Sequence, residues 1–176
     1  MLFCHFTPLE LAGRLLAYHV PIAALYREHG SDLLEFIVRR QRLAYGDELF
    51  NRDQIRGMVR YLRKGGTLWY APDQDYERGE RRFVPFFGVQ AATITSAIDL
   101  ARMGNAKLMA TKVVRDEKGY RITILDNLEG IPSENTDNDL TRINALVEDL
   151  IRDNPTQYFW VHRRFKNRPP GEDSLY

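Results

Sequence analysis

The chain has a single cysteine, Cys4, among 176 residues. One thiol excludes a disulfide framework within the chain and fits a reducing compartment. Long apolar runs are missing too: none reaches the roughly 18 residues that a membrane-spanning helix requires. The start lacks the charged segment and apolar run of a signal peptide. Excess charge of one sign is absent, because 25 Lys and Arg stand against 24 Asp and Glu, for a net charge of +1. The overall field therefore names no partner, and any preference for anions has to come from local clusters. Four histidines and one cysteine show no spacing typical of a metal site. There is no repeat, linker, low-complexity block or nucleic-acid motif. The expectation is a soluble or membrane-surface protein that does not bind nucleic acid.

What is present is an ordinary globular balance, 44% hydrophobic and 28% charged, able to bury one core. The length favours a single domain over residues 1–176, with 167–176 as a surface tail. The pattern alternates between short apolar strands and helices. Residues 2–5 read as a strand end, 7–20 as a helix, 22–26 as a strand and 31–41 as a helix capped by Ser31. Residues 52–64 read as a helix stopped at Gly65-Gly66, followed by the β-rich 67–71. Residues 83–88 are extended, 91–103 reads as a helix, and 107–114 with 120–125 forms a hairpin around Arg115–Gly119. A last helix over 139–152 precedes a strand over 157–165. The expected fold is mixed α/β, with a mostly parallel central sheet flanked by helices. Active sites in such sheets lie in loops beyond the strand carboxyl ends, where both "CHFTPLE" and "APDQDY" fall.

In the first of these, Thr7, Pro8 and Glu10 are spaced as a capping box with proline at the first helical position. His5 stands just outside it. A carboxylate beside an imidazole fixes its tautomer and stabilises the imidazolium formed on proton abstraction. The same residues therefore read both as a helix start and as a general base, His5, oriented by Glu10.

Two longer stretches, "GGTLWYAPDQDYERGERRFVPFFGVQAATIT" and "TRINALVEDLIRDNPTQYFWVHRRFKNRPPGE", resemble the late acyltransferases of lipid A biosynthesis in Gram-negative bacteria. The resemblance runs from Cys4 to Tyr176. It implies a glycerolipid-acyltransferase-like fold and places the family's His-x4-Asp/Glu motif on His5 and Glu10. By the same resemblance, Arg42 would hold substrate or stabilise charge. Asp73 would belong to the substrate site and support it through hydrogen bonds. The implied reaction moves a fatty acyl chain from acyl carrier protein to a hydroxyacyl chain of the Kdo-bearing lipid A precursor. It needs no metal and no cofactor beyond the carrier thioester. The implied partners are acyl carrier protein, the lipid A precursor and the inner-membrane surface, at the cytoplasmic face.

The basic cluster "HRRFKNR" offers Arg163 and Arg164 as substrate-binding groups, since arginine pairs bidentately with phosphate. His162 belongs to the family's terminal motif without an evident role. Cys4, Trp69 and Trp160 read as core residues, and "FVPFFGV" as core packing rather than an acyl groove. The sequence departs from the family in two places. Glu77 stands where glycine is common, and only four residues precede His5, where relatives carry a longer segment with a transmembrane helix. A chain without that anchor is expected to be peripheral. Its alternatives are an active acyltransferase, a truncated non-catalytic remnant, or an acyltransferase for another membrane glycolipid or glycerophospholipid.

Overall fold

Runs of only two to four residues form the short strands in the first half of the chain. These are β1 (Leu2–Phe3), β2 (Ile22–Leu25), β3 (Glu48–Phe50) and β4 (Thr67–Trp69). Helices α1 (Leu9–Ala17), α2 (Asp32–Leu43) and α3 (Ile55–Arg63) connect them in turn. The second half holds the longer hairpins β5 (Arg81–Phe86) with β6 (Val89–Ile94), and β7 (Ala110–Asp116) with β8 (Gly119–Leu125). Helix α4 (Ser96–Gly104) lies between the hairpins, and α5 (Thr136–Asp153) leads to a 3-10 turn, Pro155–Gln157. The computed structural model describes residues 1–76, 79–126 and 128–176; Glu77 lies outside the described residues.

The described residues form a mixed α/β molecule of three small sheets and five α-helices. One sheet has the order β1-β7-β8, with β1 parallel to β7 and β8 antiparallel. A second is β3-β2-β4, parallel throughout. The third is the β5-β6 hairpin. Hydrogen bonds tie the ends of β1 and β4 together: Tyr70 N–H donates to the Met1 carbonyl at 3.1 Å, and Phe3 N–H to the Tyr70 carbonyl at 2.9 Å. The two strand ends run parallel, so the segments leaving them emerge at the same side. His5 follows one and Asp73 the other.

The largest apolar cluster joins Leu68 and Tyr70 to Ile98, Leu140 and Ile143, so α4 and α5 share a core with β4. A second cluster packs Cys4 and Phe6 against Phe86, Val147, Leu150 and Ile151. Cys4 is thus a core residue. Phe86, from the apolar "FVPFFGV", is buried here, as expected of core packing.

Several local expectations are corrected. Residues 91–103 are not one helix: 89–94 pairs with β5 as a strand, and the helix begins at Ser96. Ala91 and Ala92 look helical in isolation. The Phe87-Gly88 turn, with φ of 49° and 77°, closes a tight hairpin that commits the following residues to the ladder. The capping box does not form, because α1 starts at Leu9 behind an N-cap Pro8 with no side-chain cap bond. Thr7 is instead held by its backbone, donating to the Gln157 carbonyl at 2.8 Å. Residues 157–165 are not a strand: after the single bridge from Tyr158 to Phe6 the chain turns repeatedly. Trp160 is 56% exposed rather than core.

Candidate active site

The C-terminal ends of β1 and β4 converge on one hydrogen-bonded pair. His5 Nδ1 lies 2.7 Å from Asp73 Oδ1, and the His5 backbone N–H donates to Asp73 Oδ2 at 2.8 Å. One carboxylate thus grips both ring and main chain of the same residue. Asp73 is 2% exposed, while the His5 side chain keeps 24% of its surface open. Burial alone would raise the Asp73 carboxyl. The hydrogen bonds and charge of His5 outweigh it and hold the carboxyl below its ordinary value, so it is ionised. An ionised acceptor at Nδ1 selects the Nδ1–H tautomer and leaves Nε2 as the ring's basic nitrogen.

The carboxylate that orients His5 is therefore Asp73 and not Glu10. Glu10 lies in the first turn of α1, and both its oxygens face Arg42 of α2. Arg42 Nε donates to Glu10 Oε2 at 3.3 Å, and Nη2 to Oε1. The Arg42 guanidinium also lies 5.9 Å from the centre of the Tyr26 ring. The pairing follows from placement: Asp73 leaves the strand next to β1, whereas Glu10 stands on the rim facing α2.

His5, Glu10 and Arg42 line one cleft of about 1060 Å³. Its lining is mixed: Leu9, Ile22, Leu25, Met58, Leu100 and Met103 are apolar, and Glu48, Asp53 and Asp99 are acidic. Arg27, Arg52 and Arg102 also contribute to it. Trp69 forms part of the wall, its ring 4.5 Å from that of Phe3. A Cβ on Gly13 would fall 1.3 Å from Trp69 Cζ3, so α1 approaches that wall at a position only glycine fills. Chemically the arrangement is an imidazole held by a carboxylate at a cleft that also holds the Arg42 guanidinium.

The two arginines expected to meet substrate in the C-terminal cluster are placed differently. Arg164 is 4% exposed; its Nη1 donates to the Ala92 carbonyl at 2.6 Å and Nη2 to Thr93 Oγ1 at 2.8 Å. It cannot reach an external phosphate, because its guanidinium is spent on β6. Arg163 is exposed, 5.6 Å from the Tyr176 ring, and does not line the cleft. Residue 167 is no free tail either, since Asn167 donates twice to the buried Asp75. Among the described residues no group of three His, Cys, Asp or Glu is arranged to hold a metal ion, and no helix is long and apolar enough to cross a membrane.

Residues 1–167 match the family model described as bacterial lipid A biosynthesis acyltransferase. The chain is 40% identical over 175 residues to the lipid A biosynthesis palmitoleoyltransferase of Escherichia coli K12, covering 98% of this chain and 57% of that protein. It is 38% identical over 175 residues to the lauroyltransferase of the same organism, with the same coverage. Against the myristoyltransferase it is 29% identical over 162 residues, covering 88% of this chain and 49% of the relative. The chain spans about half the length of these curated relatives. With the match running over nearly its whole length, this chain belongs to the bacterial lipid A biosynthesis acyltransferase family.

Proposed function

We propose that the chain transfers a fatty acyl group from the thioester of acyl carrier protein to the hydroxyl of a hydroxyacyl chain on the Kdo-bearing lipid A precursor. The observation that carries this reading is the His5–Asp73 pair at a cleft partly lined by apolar side chains in a chain of this family. His5 Nε2 takes the hydroxyl proton, and Asp73 stabilises the imidazolium that results. The alkoxide attacks the thioester carbonyl, the tetrahedral intermediate collapses with loss of the carrier thiolate, and His5 returns the proton to that sulfur. Arg42, held by Glu10, either binds substrate anion or stabilises charge during the attack. The cleft takes acyl chain, and no cofactor is needed beyond the carrier thioester.

The parallel pairings of β1, β2, β3, β4 and β7 support a glycerolipid-acyltransferase-like arrangement around a mostly parallel sheet. A membrane partner at the cytoplasmic face of the inner membrane is supported by α2, which is amphipathic the wrong way round. Glu35, Arg39 and Arg42 turn inward towards Tyr26 or the cleft, while Leu33, Phe36 and Ile37 are exposed. Residues 27–64 also carry nine Lys and Arg against six Asp and Glu. An apolar face with basic surroundings suits an anionic lipid surface. Arg163 is assigned to surface contact with phosphate or the acidic carrier.

The test is direct. The chain is incubated with acyl-loaded carrier protein and the lipid A precursor, and the lipid is weighed by mass spectrometry. A gain of one acyl chain that is lost in His5→Ala supports the proposal. A folded chain that adds no mass, or His5→Ala that still turns over, overturns it.

A further inference from the structure

Apart from Arg163, the C-terminal motif "HRRFKNR" is left without a role by the chemistry above, and its geometry supplies one. Asp73 sits in a segment, residues 71–76, that has no regular secondary structure. Its backbone position is therefore not set by a ladder or a helix. Two residues beyond Asp73 lies Asp75, also 2% exposed, and it is bound three times by the C-terminal segment. The Asp75 N–H donates to His162 Nε2 at 2.8 Å. Asp75 Oδ2 accepts from the Asn167 N–H at 2.9 Å, and Oδ1 from Asn167 Nδ2 at 2.7 Å. Backbone and carboxylate of one loop residue are thus both held from outside.

The residues between and beyond these two are nailed to β6. Arg164 donates to Ala92 and Thr93, and Arg168 Nη1 to the Gln90 carbonyl at 2.6 Å. Thr93 Oγ1 also receives Asn144 Nδ2 of α5 at 3.2 Å, which ties the anchor into the core. The pattern alternates along the segment: His162 and Asn167 face the loop, Arg164 and Arg168 face the sheet. Further upstream, the Phe159 N–H donates to the His5 carbonyl at 2.9 Å, so the same segment also touches the base.

We propose that His162 and Asn167 are positioning residues, a clamp that sets Asp73 against His5 through Asp75. The inference rests on His5 being the general base. A single residue separates the clamped Asp75 from Asp73, so a displacement of one moves the other by a comparable amount. The His5–Asp73 contact of 2.7 Å has little slack. His162 serves as acceptor only while Nε2 lacks a proton. Burial, then the neighbouring charges of Lys166 and Arg164, depress its basicity and keep it so, against the opposing carboxylates Asp75 and Asp73.

The experiment reads the ring of His5 rather than turnover. The chain is labelled with 15N at histidine, and the ring resonances are recorded at about pH 8.5, two units above the ordinary imidazole value. His5 is assigned by its loss in His5→Ala. The unsubstituted chain should show His5 in the Nδ1–H form. His162→Ala should lose that form in favour of the Nε2–H tautomer that free imidazole prefers. His162→Gln, whose amide oxygen can accept the Asp75 N–H, should retain it. Asn167→Ala, which removes one of the three bonds, should shift the His5 resonance in the same direction by less, and it covers the case of a His162→Ala chain that fails to fold. An unchanged His5 signature in folded His162→Ala, or in Asn167→Ala where His162→Ala does not fold, overturns the clamp. Because no acyl transfer is measured, failure of the acyltransferase assay leaves this result independent.

Discussion

The carboxylate of Asp73 holds the Nδ1 of His5 at 2.7 Å and its backbone N–H at 2.8 Å, across 68 positions of sequence. A side chain that fixes both the ring and the main chain of its partner leaves the base little freedom to turn. On the proposed reading this preorganisation serves the reaction, since misplacement by about 1 Å can cost roughly a hundredfold in rate.

The pair has a consequence for acid stability. Asp73 titrates below its ordinary value because its contacts with His5 outweigh the effect of burial. A carboxyl lowered by folding contributes stability that is fully present above the unfolded value, near 3.8, and is lost as pH falls through it towards the lower folded value. Urea unfolding followed by tryptophan fluorescence should show the midpoint falling over this window. In Asp73→Asn, which has no carboxyl to protonate, the fall should be shallower. Equal slopes in the two chains would show that Asp73 is not the group responsible.

Glu10 and Arg42 should behave as one unit. Arg42 meets Glu10 through two guanidinium nitrogens, and both residues line the cleft. The Glu10 side chain is 67% exposed, so the pair contributes no more than about 1 kcal/mol to stability. Its value lies in placing the guanidinium. Glu10→Ala and Arg42→Ala should each lower kcat/KM, and the double variant should lose little beyond the worse single one. Arg42→Lys should not restore the rate, because an ammonium cannot make the forked contact. Additive losses in the cycle would separate the two residues.

Arg164 and Arg163 are adjacent in sequence and opposite in expected effect. Removing the buried Arg164 guanidinium strips hydrogen bonds from Ala92 and Thr93 and leaves a void over Phe86, whose ring lies 5.1 Å away. Arg164→Ala should cost about 2–4 kcal/mol in urea unfolding. Arg163→Ala, at an exposed position, should stay within about 0.5 kcal/mol. If Arg164→Ala left stability unchanged and weakened lipid binding alone, the guanidinium would have to face outward.

How far the sequence disclosed this site depended on the range of the contact. The placement of His5 past a strand end was legible, because a short apolar run before a helix start carries a local signal. The partner of His5 has no such signal: proximity in sequence favours Glu10, five positions away, yet Glu10 pairs with Arg42. Asp73 is brought in by the parallel neighbourhood of β1 and β4, a relation with no local signature. Strand β3, three residues long, gave too little periodicity to register. The stretch from Tyr158 to Arg168 looked like a β-strand with a basic end. His162, Arg164, Asn167 and Arg168 instead take partners on the Asp73 loop and β6, so their polarity serves internal hydrogen bonding, while Arg163 alone of the two adjacent arginines stays at the surface.

The claim at the centre, that Asp73 makes His5 a base for acyl transfer, is met most directly by one comparison. Initial rates of acyl addition to the lipid A precursor are measured by mass spectrometry for the unsubstituted chain and for Asp73→Asn. Asparagine keeps the shape of the side chain but cannot hold the imidazolium, and an orienting carboxylate of this kind is worth about 10⁴ in kcat. The predicted result is a fall of about three to four orders of magnitude with the fold intact. An Asp73→Asn chain that turns over within about tenfold of the unsubstituted one would contradict it.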